Sequence, residues 1–243
     1  MTLLDISRTT RSYLEGSTFS SGHGFRMNRD SGPDRLTLLP QMVRGRRVLH
    51  VGFGDHLELL DEKRSSGTWL HDLLCDAAAE CVGVDVDAQI VAAARERGVS
   101  DVYVLDVTEP APDQPVMGRD FDVILFGEVL EHIPDPVNFL SSTRRALGSP
   151  GMEFIVTVPN AWAFDTLRNV GRNVEMINTD HRFWFTPYTL AKVMTDAGLE
   201  VTDITTCESV PVSNHWKDKV QRRVTDRWGL LRASVVGRAR IPS

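Results

Sequence analysis

Val48-Leu49-His50-Val51, followed at once by Gly52-Phe53-Gly54, narrows the folds open to this chain more than any other stretch. A short apolar run that stops at a glycine turn reads as a buried strand whose backbone can come close to a ligand. Two later runs repeat the pattern with an acidic stop. Val82-Gly83-Val84 ends at Asp85, and Val102-Tyr103-Val104-Leu105 ends at Asp106. Carboxylates at the carboxyl ends of neighbouring parallel strands share one rim of a sheet, where they can accept bonds from ribose hydroxyls or an adenine amine. Either aspartate alone would serve as an ordinary helix cap. Together with Gly52 and Gly54 they describe a nucleoside-binding crevice.

The rest of the chain supplies the alternation such a sheet needs. An amphipathic helix is expected over 1–15, a Ser- and Gly-rich loop from Gly16 to Gly32, and a helix from about Pro33 to Val43. Strands follow at 47–51, 81–84, 102–105, 121–126 and 153–158, with the last strands at 199–205 and near Val210. Trp69, Leu70, Leu73, Leu74, Ala77 and Ala78 have helical spacing and place one inserted helix at 65–79. Asp87 caps a helix running to Arg97, Pro134-Asp135-Pro136 opens another at 137–147, and Thr186-Pro187 opens a third that ends at Gly198. Strands alternating with helices imply an α/β fold with a doubly wound, mostly parallel sheet. The expected division is helices and a loop forming a cap over 1–45, a catalytic domain over 46–212, and a basic tail over 213–243.

At 243 residues with a formal charge of −6, the chain can bury a full core and lacks the basic character of a general nucleic-acid binder. The charge is uneven. From His215 onward eight Lys or Arg face two Asp, which leaves the remainder near −12. Cys75, Cys81 and Cys207 show no metal-like spacing, and the first two read as small core residues of a reducing compartment. No signal peptide or membrane-spanning run is expected, which places the chain in the cytoplasm with no membrane partner.

Val48–Gly54, Gly83-Val84-Asp85, Leu105-Asp106 and Phe121-Asp122-Val123-Ile124-Leu125-Phe126-Gly127-Glu128-Val129-Leu130-Glu131-His132-Ile133 resemble the serial motifs of class I S-adenosylmethionine-dependent methyltransferases. The likeness runs from about Arg46 to Val201. It implies a seven-stranded, Rossmann-like methyltransferase fold with a helical N-terminal extension. It also implies S-adenosylmethionine as cofactor and S-adenosylhomocysteine as product. Carried over by position, Gly52, Phe53 and Gly54 line the methionine portion, Asp85 binds the ribose diol with Val86 against the adenine, and Asp106 with the Val107 backbone meets the adenine edge. Glu128 lies near the methionine end. Val158-Pro159-Asn160 and Asp180–Thr186 resemble a subgroup associated with sugar and polysaccharide biosynthesis. Two departures stand out: His50 where the family carries an acidic residue, and His56 where it has a third glycine.

Methyl transfer from a sulfonium is an in-line displacement in which alignment supplies much of the acceleration. A sugar hydroxyl also needs a general base near neutral pH, and histidine is the natural one. His132, just past strand four, and His181, in the long Asn160–Phe185 segment, are the candidates. For each the plain alternative is a packing or capping role. Trp162, Phe164, Phe183, Trp184 and Phe185 offer ring faces for a saccharide, with Phe183 and Phe185 better read as pins for the loop. The Gly16–Gly32 loop, with His23, Arg26 and Arg29, is able to close over the crevice. A divalent metal at Asp180, His181 and Glu128 is open but not expected. The favoured reading is O-methylation of a saccharide hydroxyl, with a small natural product or quinone precursor as the alternative acceptor. More distant are an NAD-dependent dehydrogenase and a non-catalytic binding protein of the same fold. Partners are a small-molecule or saccharide acceptor, with room left for a homodimer.

Overall fold

The computed structural model describes residues 3–27, 32–54, 57–210 and 216–242. Its elements in chain order are α1 (Arg8–Leu14), α2 (Arg35–Val43), β1 (Arg47–Val51), α3 (Leu57–Ser65), α4 (Leu70–Ala77), β2 (Glu80–Asp85), α5 (Ala88–Glu96), β3 (Val102–Val104), β4 (Val123–Gly127), α6 (Pro136–Leu147), β5 (Glu153–Pro159), α7 (Phe164–Val170), α8 (Pro187–Asp196), β6 (Glu200–Cys207), α9 (Trp216–Arg227) and β7 (Ser234–Arg240). The strands form one seven-stranded sheet in the order β3-β2-β1-β4-β5-β7-β6. Every pair is parallel except those of β7, which runs antiparallel to both β5 and β6.

The continuous apolar runs of the central strands divide between two cores because successive side chains point to opposite faces. Leu49, Ile124, Phe126, Phe154 and Val156 pack with Leu140 of α6 and Leu190 and Met194 of α8. Val48, Val123, Leu125 and Ile155 pack on the other side with Leu36, Leu39 and Val43 of α2 and Leu74 of α4. The expected helix starts hold. Asp87 accepts from the Gln89 amide, Asp135 from the Asn138 amide, and Thr186 forms a reciprocal capping pair with Thr189.

Several expectations need correction. The seventh strand is Ser234–Arg240, not a run near Val210, and it lies in the interior of the sheet between β5 and β6. The boundary at 212 therefore cuts through one packed unit. Two of the supposed tail charges neutralise neighbouring strands, Arg238 at 2.7 Å from Glu153 and Arg240 at 2.7 Å from Glu200. The boundary at 45 fails for a similar reason, since α2 contributes Leu39 and Val43 to the core with no exposed surface. The insertion between β1 and β2 is two helices. Gly67, at φ +65°, ends the first and restarts the chain at Leu70. Helix α1 begins only at Arg8, because the Leu3 and Leu4 amides donate instead to the Ile204 carbonyl. The Asn160–Phe185 segment contains α7, although its sequence carries little periodicity. Cys75 is exposed and Cys81 half-buried, so only Cys207 is a core thiol.

Candidate active site

The carboxyl ends of β1, β2 and β4 open into a cavity of about 730 Å³. Its first wall is made by backbone. Gly52 adopts φ +67°, and a Cβ there would meet Val129 at 2.6 Å. A Cβ on Gly54 would lie 2.1 Å from Ile90 and 3.1 Å from Asp85. Both positions thus require glycine, for the turn and for close approach. Phe53 does not line the cavity. Its side chain is buried under β2 with its ring 4.9 Å from His71, so only its backbone stays at the turn. Alternation explains the correction, because a residue between two rim-facing glycines points to the opposite side.

Asp85 ends β2 as expected and lines the cavity. Its two oxygens accept from the Asp87 amide at 3.0 Å and the Gly54 amide at 3.3 Å. Burial pushes its carboxyl upward, and those two amides pull it back. Val86 follows with 71% of its surface exposed toward the same space, which suits the flat face of a base. Asp106 and Val107 lie on the adjacent wall. The Asp106 carboxylate is turned by its own loop, accepting from the Thr108 amide at 2.8 Å.

Glu128 stands where β4 ends, with φ +61°, a conformation that non-glycine residues rarely adopt. Its amide donates to the Thr157 carbonyl at 3.0 Å, and its carboxylate accepts from Ser234 at 2.9 Å. Arg35, at the start of α2, places its guanidinium 3.7 Å from the other carboxylate oxygen. Backbone strain held by tertiary contacts is common at functional sites. Leu59 and Lys63 of α3 also line the cavity, so the insertion between β1 and β2 builds part of its wall.

Glu131, His132 and His181 line the same cavity and cluster together. The His132 and His181 rings meet edge to face with centroids 4.6 Å apart. Arg182 fastens the distant segment in place: its amide donates to the Glu131 carbonyl at 2.7 Å, and its guanidinium donates to the His132 carbonyl. Glu131 is completely buried, and neither carboxylate oxygen has a hydrogen-bond partner among the described residues. Its carboxyl is pushed up to about 8, by burial first and then by the neighbouring Glu128 charge. His181 is held below its ordinary value by burial and by His132, and this keeps its ring neutral near pH 7. One ligand atom from each of the three residues lies within 4.8 Å of the others. This set, rather than Asp180, His181 and Glu128, is the one with the geometry to hold a divalent ion.

The departures from the family motif separate. His50 is buried, faces His71 of α4 and is not part of the cavity. His56 and Arg29 fall outside the described residues. The described part of the Gly16–Gly32 loop packs elsewhere, with Phe25 stacked on Tyr188 and His23 beside Tyr13. The aromatic residues expected to hold a sugar do not line the cavity either. Trp162 and Trp184 border a separate depression with Met176, and Phe185 is a core residue. Arg35 and Glu131 were not singled out from sequence. The Glu-x-x-Glu-His spacing within 128–132 carries a signal for Glu131. Nothing local marks Arg35.

Comparisons with known proteins bear on the fold and the family. Residues 26–204 match a family described as a methyltransferase domain. The ubiquinone biosynthesis O-methyltransferase of Pseudomonas paraeruginosa is 26% identical over 202 residues, covering 79% of this chain and 82% of the relative. The enzyme of the same name from Aeromonas salmonicida is 27% identical over 186 residues, 71% of each chain. Among solved structures, a methyltransferase of Bacillus halodurans C-125 superposes with a TM-score of 0.54 at 16% identity, covering 86% of this chain and 99% of that one. Magnesium protoporphyrin IX methyltransferase from Synechocystis PCC 6803, solved with bound S-adenosylhomocysteine, gives 0.52 at 14% identity over 85% and 81%. These structures share the fold. With the sheet order, the glycine turn and the family match over most of its length, the chain belongs to the class I S-adenosylmethionine-dependent methyltransferases.

Proposed function

We propose that this enzyme methylates a hydroxyl of a small acceptor, and that an aromatic hydroxyl of the quinone-precursor kind fits better than a saccharide. The observation that carries the reading is that the Glu131–His132–His181 cluster lines the same cavity as the glycine turn. The adenosyl group lies along Gly52, Gly54, Asp85, Val86 and Asp106, and Glu128 sits at the methionine end. The acceptor enters beside His132 and His181. A neutral His181 takes the proton from the acceptor oxygen as that oxygen attacks the methyl carbon in line with the departing sulfur. His132, edge-on to His181, holds the ring in position.

The acceptor class rests on two supports. Relatives covered over most of their length are named as ubiquinone biosynthesis O-methyltransferases. The ring platforms expected for a sugar lie outside the cavity. The sugar-subgroup reading has no support among these relatives. The paired unpartnered oxygens of Glu131 favour a second reading of the same cluster. There Glu131, His132 and His181 hold a divalent ion, which when bound would lower the pKa of a hydroxyl placed on it.

The test is a screen of catechols, other phenols and free sugars for S-adenosylhomocysteine release, with and without a chelator. Turnover of a phenol supports the acceptor class, and turnover confined to sugars overturns it. Activity that survives chelation selects the histidine-base reading.

A further inference from the structure

A second cluster lies on the face of the sheet covered by α4, away from the transfer site. His71 and Cys75 stand four residues apart on α4, so one helix face carries both. The short link into β2 brings Cys81 alongside. Cys75 Sγ lies 3.6 Å from His71 Nε2, and Cys81 Sγ lies 3.9 Å from His71 Nδ1. One donor atom from each residue falls within 4.8 Å of the other two. A tetrahedral ion with bonds of about 2.0–2.3 Å holds its ligand atoms roughly 3.3–3.8 Å apart, so small rotamer adjustments suffice.

We propose that His71, Cys75 and Cys81 bind a soft divalent ion of the zinc class, with three protein ligands and a fourth position open to solvent. Two thiolates and an imidazole select such an ion over calcium or magnesium, which require oxygen ligands. The supporting sphere is already built. With Nε2, the nitrogen 3.6 Å from Cys75 Sγ, offered to the ion, His71 Nδ1 keeps its contact at 3.2 Å with Nδ1 of His50, and metal-bound imidazoles commonly have their second nitrogen tied in this way. Beside the thiols a cavity of about 260 Å³, bordered by Asp72, Glu80 and Asp101, gives an ion its entry. Binding exchanges two thiol protons for one ion. Each cysteine releases its proton to solvent and gives a sulfur lone pair to the metal, and His71 contributes a neutral nitrogen.

The site ties α4 to β2 behind the cofactor turn. The His71 ring lies 4.9 Å from Phe53, the middle residue of that turn. An ion here stabilises the folded chain and fixes the strand that ends in Asp85.

The experiment uses the full chain, stripped with chelator and kept reduced with a phosphine, then titrated with Co²⁺ and displaced with Zn²⁺. The expected result is a thiolate-to-cobalt charge-transfer band for one ion per chain, together with a rise in Tm on adding Zn²⁺. Cys75→Ser and Cys81→Ser should each weaken Zn²⁺ binding at least about tenfold, by loss of a ligand. The double variant should lose the band, and His181→Ala should keep it. Cys75 is exposed, so its serine variant is expected to fold, which circular dichroism verifies. Cys207 is buried in the core and cannot supply the band. No thiolate band in the reduced full chain, or a band that persists in the double variant, overturns the site.

Discussion

The two halves of the cavity are made in different ways. The proposed cofactor half consists of backbone turns and strand ends: Gly52, Gly54, Asp85 and Asp106 each lie at the carboxyl end of a strand or within three residues of it. The proposed acceptor half is assembled from afar. His181 is brought beside His132 while Arg182 binds the carbonyls of Glu131 and His132, some fifty residues back. The first half is set by local conformational demands, the second by tertiary contacts. The two should therefore respond to mutation independently.

The largest expected effect is on the acceptor side. His181→Ala should lower turnover by about 10²–10⁴-fold, the usual worth of a positioned base, and leave S-adenosylhomocysteine affinity unchanged. His132→Ala should act in the same direction but less strongly. Steady-state rates beside calorimetric affinities test this, and a parallel fall in both would break the division of the cavity.

On the cofactor side, Asp85→Ala should weaken S-adenosylhomocysteine by roughly 1–3 kcal/mol, since a charged acceptor of hydrogen bonds is lost. Gly54→Ala drives a methyl to 2.1 Å from Ile90. Overpacking of this kind costs about 1–3 kcal/mol, and it should appear in both Tm and cofactor affinity. Intact affinity in either variant would move the adenosyl group out of this wall.

The smallest effect in any one step of pH concerns Glu131 in chelator-treated protein. Its folded-state value is raised to about 8 from 4.5, so the fold prefers the protonated form. The stability this provides is complete below about pH 4.5 and is lost as pH rises through about 8, at up to roughly 1.4 kcal/mol per unit. Glu131→Gln cannot ionise. Its unfolding free energy relative to wild type should therefore rise across that window, as denaturant titrations at several pH values would show. Parallel curves would mean that Glu131 is ionised in the fold.

The same contrast explains what could be read from sequence. Strands β1, β2 and β4 were legible because buried parallel strands are continuous apolar runs, and the glycine turn and acidic stops are local signals. The helix caps at Asp87, Asp135 and Thr186 are local as well. The seventh strand was not legible. Ser234–Arg240 offers only Val235-Val236 as an apolar run, and Arg238 and Arg240 read as a free basic tail until Glu153 and Glu200 are seen opposite them. Phe53 was misplaced because a motif names a residue without saying which way its side chain points. Arg35 could not be found at all, because only the packing of α2 beneath the sheet brings it to Glu128.

The most direct test is calorimetric titration of S-adenosylhomocysteine into wild type, Asp85→Ala and His181→Ala, for which no acceptor need be known. Saturable binding to wild type, a clearly weaker Kd for Asp85→Ala and a wild-type Kd for His181→Ala are expected. No binding to wild type, or equal losses in both variants, would contradict these expectations.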